Sequence, residues 1–526
     1  MLRKAGTLFS TAYLLLIFGV YPFYMKEGYV DIGRAKYDFL ICCSLGAAAI
    51  LSVIALLRGG VHLLKRAGGD RRSPSGPVSF TDLSVLLYAA SASCSFILSD
   101  YREQALRGAE GWYMGLLLLL SLCSLYFLIS RLWNGSPLVW YVAMAASLAV
   151  FLLGILDRFS LYVIPLAIRQ SNFISTLGNI NWFCGYLSVL APMGICLPVF
   201  GPGQTDPHEG RGRSFLSRLF RPFALLYTVI AFLAGFCQGS ESIFLFWGSL
   251  FFILLWITVS ERSRLSNLLL LLFLWCLAAL GMRLLLFLFP QGYNYETENL
   301  CVLLAQSGLV PAVGLPAFAG YLYLKKTSSH PAPDRRTLRA ARLVMAALSL
   351  TALFLWLGLS IYNTQKGIPL LARNSLFLLD ASWGNGRGAA LRAGYALWSQ
   401  MPLTGRLFGA GPDCFSFLAY SLPEIASKLT DAFGTSRLTN AHNELLTSLV
   451  NIGLSGTVLY YAAFLSFAVR CLKRGAQNPY LCAAAVCVLC CLSHNMLSFS
   501  QVLNLPFAFL IMAMGEALLR KIPATG

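Results

Sequence analysis

Asn440-Ala441-His442-Asn443-Glu444 opens a long apolar run and places an imidazole at its start. Asn440 suits the cap of a helix beginning at Ala441, with Glu444 favourable in the first turn. His442 is then expected in that turn, where the positive end of the helix disfavours imidazolium. A neutral imidazole can accept a proton or orient a hydroxyl near neutral pH. The free N–H groups beside it suit an anionic phosphate.

Seven arginines could complete such a site. Arg387, Arg392, Arg406 and Arg437 share the polar stretch before His442, Arg158 and Arg169 lie in an earlier connection, and Arg283 lies inside an apolar run. A guanidinium in a membrane span is costly and marks function by default; it also binds phosphate bidentately. Arg406 and Arg437 read more simply as solvated charges. Asp413, Asp431 and Glu444 are the available acids or bases. No Cys/His/Asp group has metal-ligand spacing, no serine sits in a nucleophile elbow, and no glycine-rich phosphate loop follows a strand.

The elements that must hold these residues are membrane helices. The chain of 526 residues is 57% hydrophobic and only 12% charged, with mean hydropathy +0.68. A soluble domain is about a quarter charged. The expectation is an all-α polytopic membrane protein with about fourteen transmembrane helices and one large, partly helical extracytoplasmic loop. The apolar spans are 5–25, 39–57, 82–98, 112–130, 137–156, 181–200, 222–237, 242–259, 265–289, 299–324, 341–361, 442–469, 479–497 and 500–519. The first is expected to remain as an anchor, since no small-residue cleavage site follows it. Gln238-Gly239-Ser240-Glu241 reads as a tight hairpin between two helices. Nearly all of the 15 cysteines fall in apolar runs, where Cys acts as a small hydrophobe. Cys414 alone lies in the large loop and reads as unpaired.

The net charge of +18 does not point to nucleic acid, because most of the 40 basic residues fall in alternate connections. The positive-inside rule makes those connections and both termini cytoplasmic. His62, His208 and His330 are then inside, while His442 and His494 are near the outer face. The chain divides into N-terminal spans (1–165), central spans (166–361), the outer loop (362–441) and C-terminal spans (442–526). Within the loop, Gly384-Asn385-Gly386-Arg387-Gly388 breaks the chain. A helix is expected over Ala389–Gln400, with Leu391, Tyr395 and Trp398 on one face. Gly394 on that face weakens it. Met401-Pro402-Leu403-Thr404-Gly405 ends it, and a second turn follows at Gly409-Ala410-Gly411-Pro412-Asp413.

Four segments together resemble the O-antigen ligase and polysaccharide polymerase family. They are Thr176-Leu177-Gly178-Asn179-Ile180-Asn181-Trp182, Gly386-Arg387 through Met401-Pro402-Leu403-Thr404-Gly405, Gly409-Ala410-Gly411 through Phe415, and Ala441-His442-Asn443-Glu444-Leu445-Leu446 through Gly453 and Gly456. The likeness is close over about 170–200 and 380–460, with a core of 166–470. Arg406-Leu407-Phe408 departs from the family pattern as a short insert before Gly409, and the N-terminal half carries extra spans.

The resemblance implies a multi-pass cytoplasmic (inner) membrane glycosyltransferase acting at the outer face. Its donor is a glycan on polyprenyl diphosphate; its acceptor is a hydroxyl of a glycan, lipid or protein. It needs no cofactor, nucleotide or metal, and ligase and polymerase share these motifs. His442 would orient or deprotonate the acceptor, and Arg169, Arg283 and Arg387 would clamp the diphosphate. Asn179, Asn181 and Asn443 would contact substrate. The rival readings are a lipid-linked oligosaccharide flippase and a non-catalytic membrane scaffold. A transporter is expected to carry ionisable residues at the midplane and paired broken helices.

Overall fold

The computed structural model describes residues 1–67, 78–166, 168–201, 215–327, 334–369, 371, 377–475 and 478–523. Among these the chain is helical, with one two-residue antiparallel pairing, Phe173–Ile174 against Gly178–Asn179, Ile174 opposite Gly178. It is an all-α polytopic membrane protein.

Nine described helices are long and apolar enough to cross a bilayer, among them Ile180–Phe200, Arg262–Leu288 and Glu444–Arg474. Leu300–Gln306 and Leu309–Lys326, bent by 63°, make a tenth if they form one broken span. Four further apolar helices, Leu116–Leu132, Ile243–Thr258, Pro479–His494 and Leu505–Leu519, have 17, 16, 16 and 15 residues. At 1.5 Å per residue these fall short of the roughly 20 residues that a 30 Å hydrocarbon layer asks of an untilted helix.

Leu505–Leu519 is the centre of the bundle: all 15 of its residues are buried. It is apolar on every side because other helices, not lipid, surround it. Its charged member, Glu516, is paired with Arg470 at 2.7 Å and Arg520 at 3.3 Å. Asp82 nearby pairs with Arg131 at 3.3 Å and accepts the Tyr126 hydroxyl at 2.9 Å. A carboxylate removed from water needs such partners, and these two clamp four helices at one end of the bundle. By contrast, only 6% of the most apolar window of Arg336–Lys366 is buried, so this helix lies at the periphery.

The large loop lies at the opposite end and has its own hydrophobic core, with Leu397, Phe415, Ile425 and Leu429 at its centre. Burial of each such side chain contributes about 1.5–3 kcal/mol. The expected loop helix runs over Trp383–Gln400, and Gly384, Asn385 and Gly386 adopt left-handed conformations in its first turn, so regular helix begins at Arg387. Its buried face is Ala390, Ala393, Gly394 and Leu397, while Tyr395 is exposed. Gly394 is explained by a close approach: a Cβ there would lie 2.9 Å from the Cβ of Ala441. Pro423–Phe433 forms a further helix within the loop, its Ile425 and Leu429 buried.

The Glu444–Arg474 helix is broken at Gly453, whose φ of 68° and ψ of −175° suit glycine alone. The break frees carbonyls that the large loop uses. Ala410 N–H donates to Val450 O at 2.8 Å and Gly411 N–H to Asn451 O at 2.9 Å. A Cβ on Gly453 would lie 2.3 Å from the Leu407 carbonyl carbon. The two glycine-bearing segments noted in the sequence therefore dock backbone to backbone.

Candidate functional site

His442 lies one residue outside the helix that follows it. The cap is Asn443, whose side chain accepts the Leu446 N–H at 2.9 Å, and the helix begins at Glu444. Asn440, expected as the cap, instead accepts the His442 N–H through Oδ1 at 2.9 Å. Tertiary bonds decide between the two asparagines. Glu444 N–H donates to Asn495 O and Asn443 Nδ2 to Met496 O, each at 2.8 Å. These seat the helix start on the turn that follows Pro479–His494. The expected phosphate nest is consequently filled by protein acceptors.

His442 takes a φ of 49°, a left-handed conformation uncommon for a side-chain-bearing residue. This turns the half-buried imidazole edge-on to Phe499, centroid to centroid 5.6 Å. Burial, and then the positive charge of Arg387, hold its pKa down at about 4. The neutral imidazole thus arises from burial and an arginine, where the sequence suggested the helix end.

Arg387 is the cation nearest in effect. It starts the regular part of the Trp383–Gln400 helix, and its Nη1 donates to Gly384 O at 3.2 Å. Its Nε is buried without any hydrogen-bond partner among the described residues. Burial lowers its pKa, opposed by the carboxylate of Glu241. An unpartnered buried guanidinium N–H is a costly arrangement that an anionic acceptor would relieve.

A hydrogen-bonded chain runs beside this pair. Ser240 Oγ lies 2.8 Å from Asn181 Oδ1 and 2.8 Å from Ser242 Oγ, and Ser242 Oγ lies 3.1 Å from His494 Nε2. Ser240 donates to the Asn181 oxygen, and Ser242 Oγ also donates to Cys184 Sγ at 3.3 Å. The other ring nitrogen of His494, Nδ1, is buried and has no partner among the described residues. The positive charge of Arg387 lies close enough to act on His494. Asn179 accepts the Asn181 N–H at 2.8 Å and so caps the helix that carries Asn181.

The structure therefore gathers Arg387, His442, Asn181 and Asn443 at the loop end, with Asn179 in support. Arg169 and Arg283 are placed elsewhere. Arg169 pairs with Asp157 at 3.6 Å, lies over the Tyr162 ring at 3.7 Å, and donates to Ile164 O. Arg283 is exposed on Arg262–Leu288, and no described side chain pairs with it. Arg158 is fully buried and ties three segments together, donating to Cys237 O, Gln238 O, Ser171 O and Asn294 Oδ1 at 2.6–3.1 Å. It builds the hairpin that presents Ser240, Glu241 and Ser242. In the sequence that hairpin reads as a connector and His494 only as a second histidine near the outer face, and that placement is their one signal.

Asp413, a candidate acid, is buried with φ 58°. Its Oδ2 accepts the N–H groups of Ala109 at 2.6 Å and Met114 at 2.9 Å, so it pins a neighbouring loop. Burial raises its pKa to about 6 against those two donors. Asp431 is exposed on Pro423–Phe433, and Glu444 accepts Ser500 N–H at 2.6 Å. All 15 cysteines are free thiols, and Cys414 is buried. Among the described residues no cluster of three or more His, Cys, Asp or Glu could hold a metal ion.

Compared with known protein families and with curated proteins, the chain finds no match.

Proposed function

We propose that the chain is a membrane glycosyltransferase of the O-antigen ligase or polysaccharide polymerase type. In this reading fourteen spans cross the cytoplasmic membrane, both termini are inside, and the loop end faces out. The carrying observation is Arg387, with a buried Nε lacking a partner, beside a neutral His442. Such a pair suits a reaction in which one substrate is an anion and the other must lose a proton.

The acceptor hydroxyl oxygen attacks the anomeric carbon of a polyprenyl-diphosphate-linked glycan, and the carbon–oxygen bond to the diphosphate breaks with inversion. The leaving diphosphate keeps the electron pair, its charge stabilised by Arg387. The hydroxyl proton passes to His442. An imidazole held at about 4 is a weak base in the free protein. A diphosphate on Arg387 would cancel the guanidinium field and raise His442 towards its ordinary range when substrate is bound. Arg283, exposed near one end of its span, stands to meet the anion only as a surface charge.

The test is transfer by the purified chain from a polyprenyl-diphosphate-linked oligosaccharide to an acceptor glycan. His442→Ala is expected to cost roughly 10²–10⁴-fold in rate, the range of general base catalysis. Full activity in that variant would remove the base assignment; no transfer by the intact chain with a range of donors and acceptors would remove the enzyme reading. The 63° break at Gln306–Leu309 favours a transporter as the second reading, since discontinuous helices line transport sites. Flipping of a fluorescent lipid-linked sugar in proteoliposomes would support it.

A further inference from the structure

A separate cleft of about 670 Å³ opens at the loop end. That falls within the roughly 300–1,000 Å³ of small-molecule sites. Its walls come from the start of the Ile32–Ala67 helix, from residues 100–117, and from Phe417 of the large loop. Three arginines and four carboxylates line it. None of the three arginines, Arg34 among them, forms an ion pair with any described carboxylate. Charges of both signs crowd one cleft without pairing to one another, and Arg102 Nη2 donates to Ile97 O at 3.3 Å. The amide nitrogen of Gln104, also in its lining, is buried with no partner among the described residues.

Aromatic rings accompany these groups. Tyr37 and Tyr113 stack with centroids 4.7 Å apart and planes 18° apart. Across from them Tyr101 meets Phe417 at 5.7 Å, and Phe417 is 38% exposed inside a polar cleft. With four carboxylates against three guanidiniums, the formal charge is close to balanced. That argues against a diphosphate or other polyanion here, in contrast to Arg387. It suits a neutral ligand that is dense in hydroxyl groups and has apolar C–H faces. Planar carboxylates and guanidiniums engage neighbouring hydroxyls, and ring faces take the C–H surface.

The cleft is joined to the candidate site by a short segment. Tyr113 lines the cleft, and its neighbour Trp112 packs edge-on against Phe499 at 4.6 Å, the ring that abuts His442. Asp413 holds the two ends of that segment through Ala109 and Met114.

We propose that this cleft is an oligosaccharide-binding subsite for an uncharged stretch of glycan, placed beside the reacting pair. The proposal rests on the glycosyltransferase reading for its substrate class. Its test is a binding measurement that needs no catalysis. The full chain in detergent is applied to a printed array of neutral, sialylated and sulfated oligosaccharides. The expected result is retention on a subset of neutral glycans. Asp38→Asn and Tyr113→Asn are each expected to lower that retention about tenfold, as loss of one charge-assisted bond or one ring contact does. Asparagine tolerates the left-handed backbone at Tyr113, where φ is 52°. If either variant melts below the intact chain, Arg107→Gln at the exposed rim replaces it with the same expectation. No retention on neutral glycans, retention only on the anionic ones, or variants that bind as well as the intact chain would each overturn the subsite. Array binding with no transfer in any donor assay would overturn the enzyme reading and leave the subsite standing.

Discussion

The hydroxyl of Ser242 lies 3.1 Å from Nε2 of His494, across 252 positions of sequence. It joins a helix hairpin in the middle of the chain to the end of Pro479–His494, within reach of the Arg387 field. Ser242→Ala removes the hydrogen-bond partner of a buried ring nitrogen, which costs roughly 1–3 kcal/mol. If the chain of hydroxyls positions the site, kcat falls while KM holds, and Ser242→Thr restores kcat and the lost stability. An equal loss in the threonine variant would point to packing alone.

Arg387 adds to burial in lowering the pKa of its neighbour. In the folded chain His442 is held at about 4, below its ordinary 6.5. A depressed base is neutral in the fold, so its contribution to stability is present above 6.5 and is lost as pH falls through 4. Arg387→Gln should raise the imidazole pKa but keep it below 6.5, since burial is the larger cause. Inorganic pyrophosphate should raise it in the intact chain and leave the variant unmoved. NMR of labelled histidine Cε1–H reads both shifts.

Asp413 predicts a pH effect of the opposite sign. Its folded pKa, about 6, lies above the ordinary 3.8. The protonated form is favoured in the fold, so this contribution is full below 3.8 and is lost as pH rises through 6. Asp413→Asn keeps an acceptor for Ala109 and Met114 and should flatten the fall in melting temperature between pH 4 and about 7. Asp413→Ala should instead destabilise at every pH, by roughly 1–3 kcal/mol for each orphaned N–H.

Gly453 tests the docking of the loop. Gly453→Ala places a methyl 2.3 Å from Leu407 backbone and forces a side chain into a glycine-only conformation. Strain and overpacking together cost roughly 2–5 kcal/mol. Limited proteolysis should then cut within 401–412 faster than in the intact chain. Unchanged cleavage would mean the segment is held from elsewhere.

Asn443→Ala removes the observed helix cap and should cost about 0.5–2 kcal/mol, whereas the same change at Asn440 removes only a turn bond. Thermal unfolding of the two variants compares them, and a greater loss at Asn440 would contradict the cap.

The membrane class was legible because a bilayer demands continuous apolar runs, and nine described helices are long and apolar enough to cross one. The loop helix up to Gln400 and its stop at Met401 followed from periodicity and proline. Pro423–Phe433 was missed although Pro423 at its start and the spacing of Ile425 and Leu429 were there to read. The shift of the cap from Asn440 to Asn443 had no sequence signal, since either asparagine can cap.

By itself the sequence determined that helices span a membrane, that Arg387 falls in its one large polar break, and that His442 stands where that break ends. Local chemistry suffices for that, because hydropathy, glycine and proline act over a few residues. Only the tertiary structure decided which residues share a site. It withdrew Arg169 to Asp157, gave Arg158 a scaffolding task, and set Ser240, Ser242 and His494 beside Asn181. The physical reason is that a buried polar group must find a partner wherever packing supplies one, and that partner can lie hundreds of residues away.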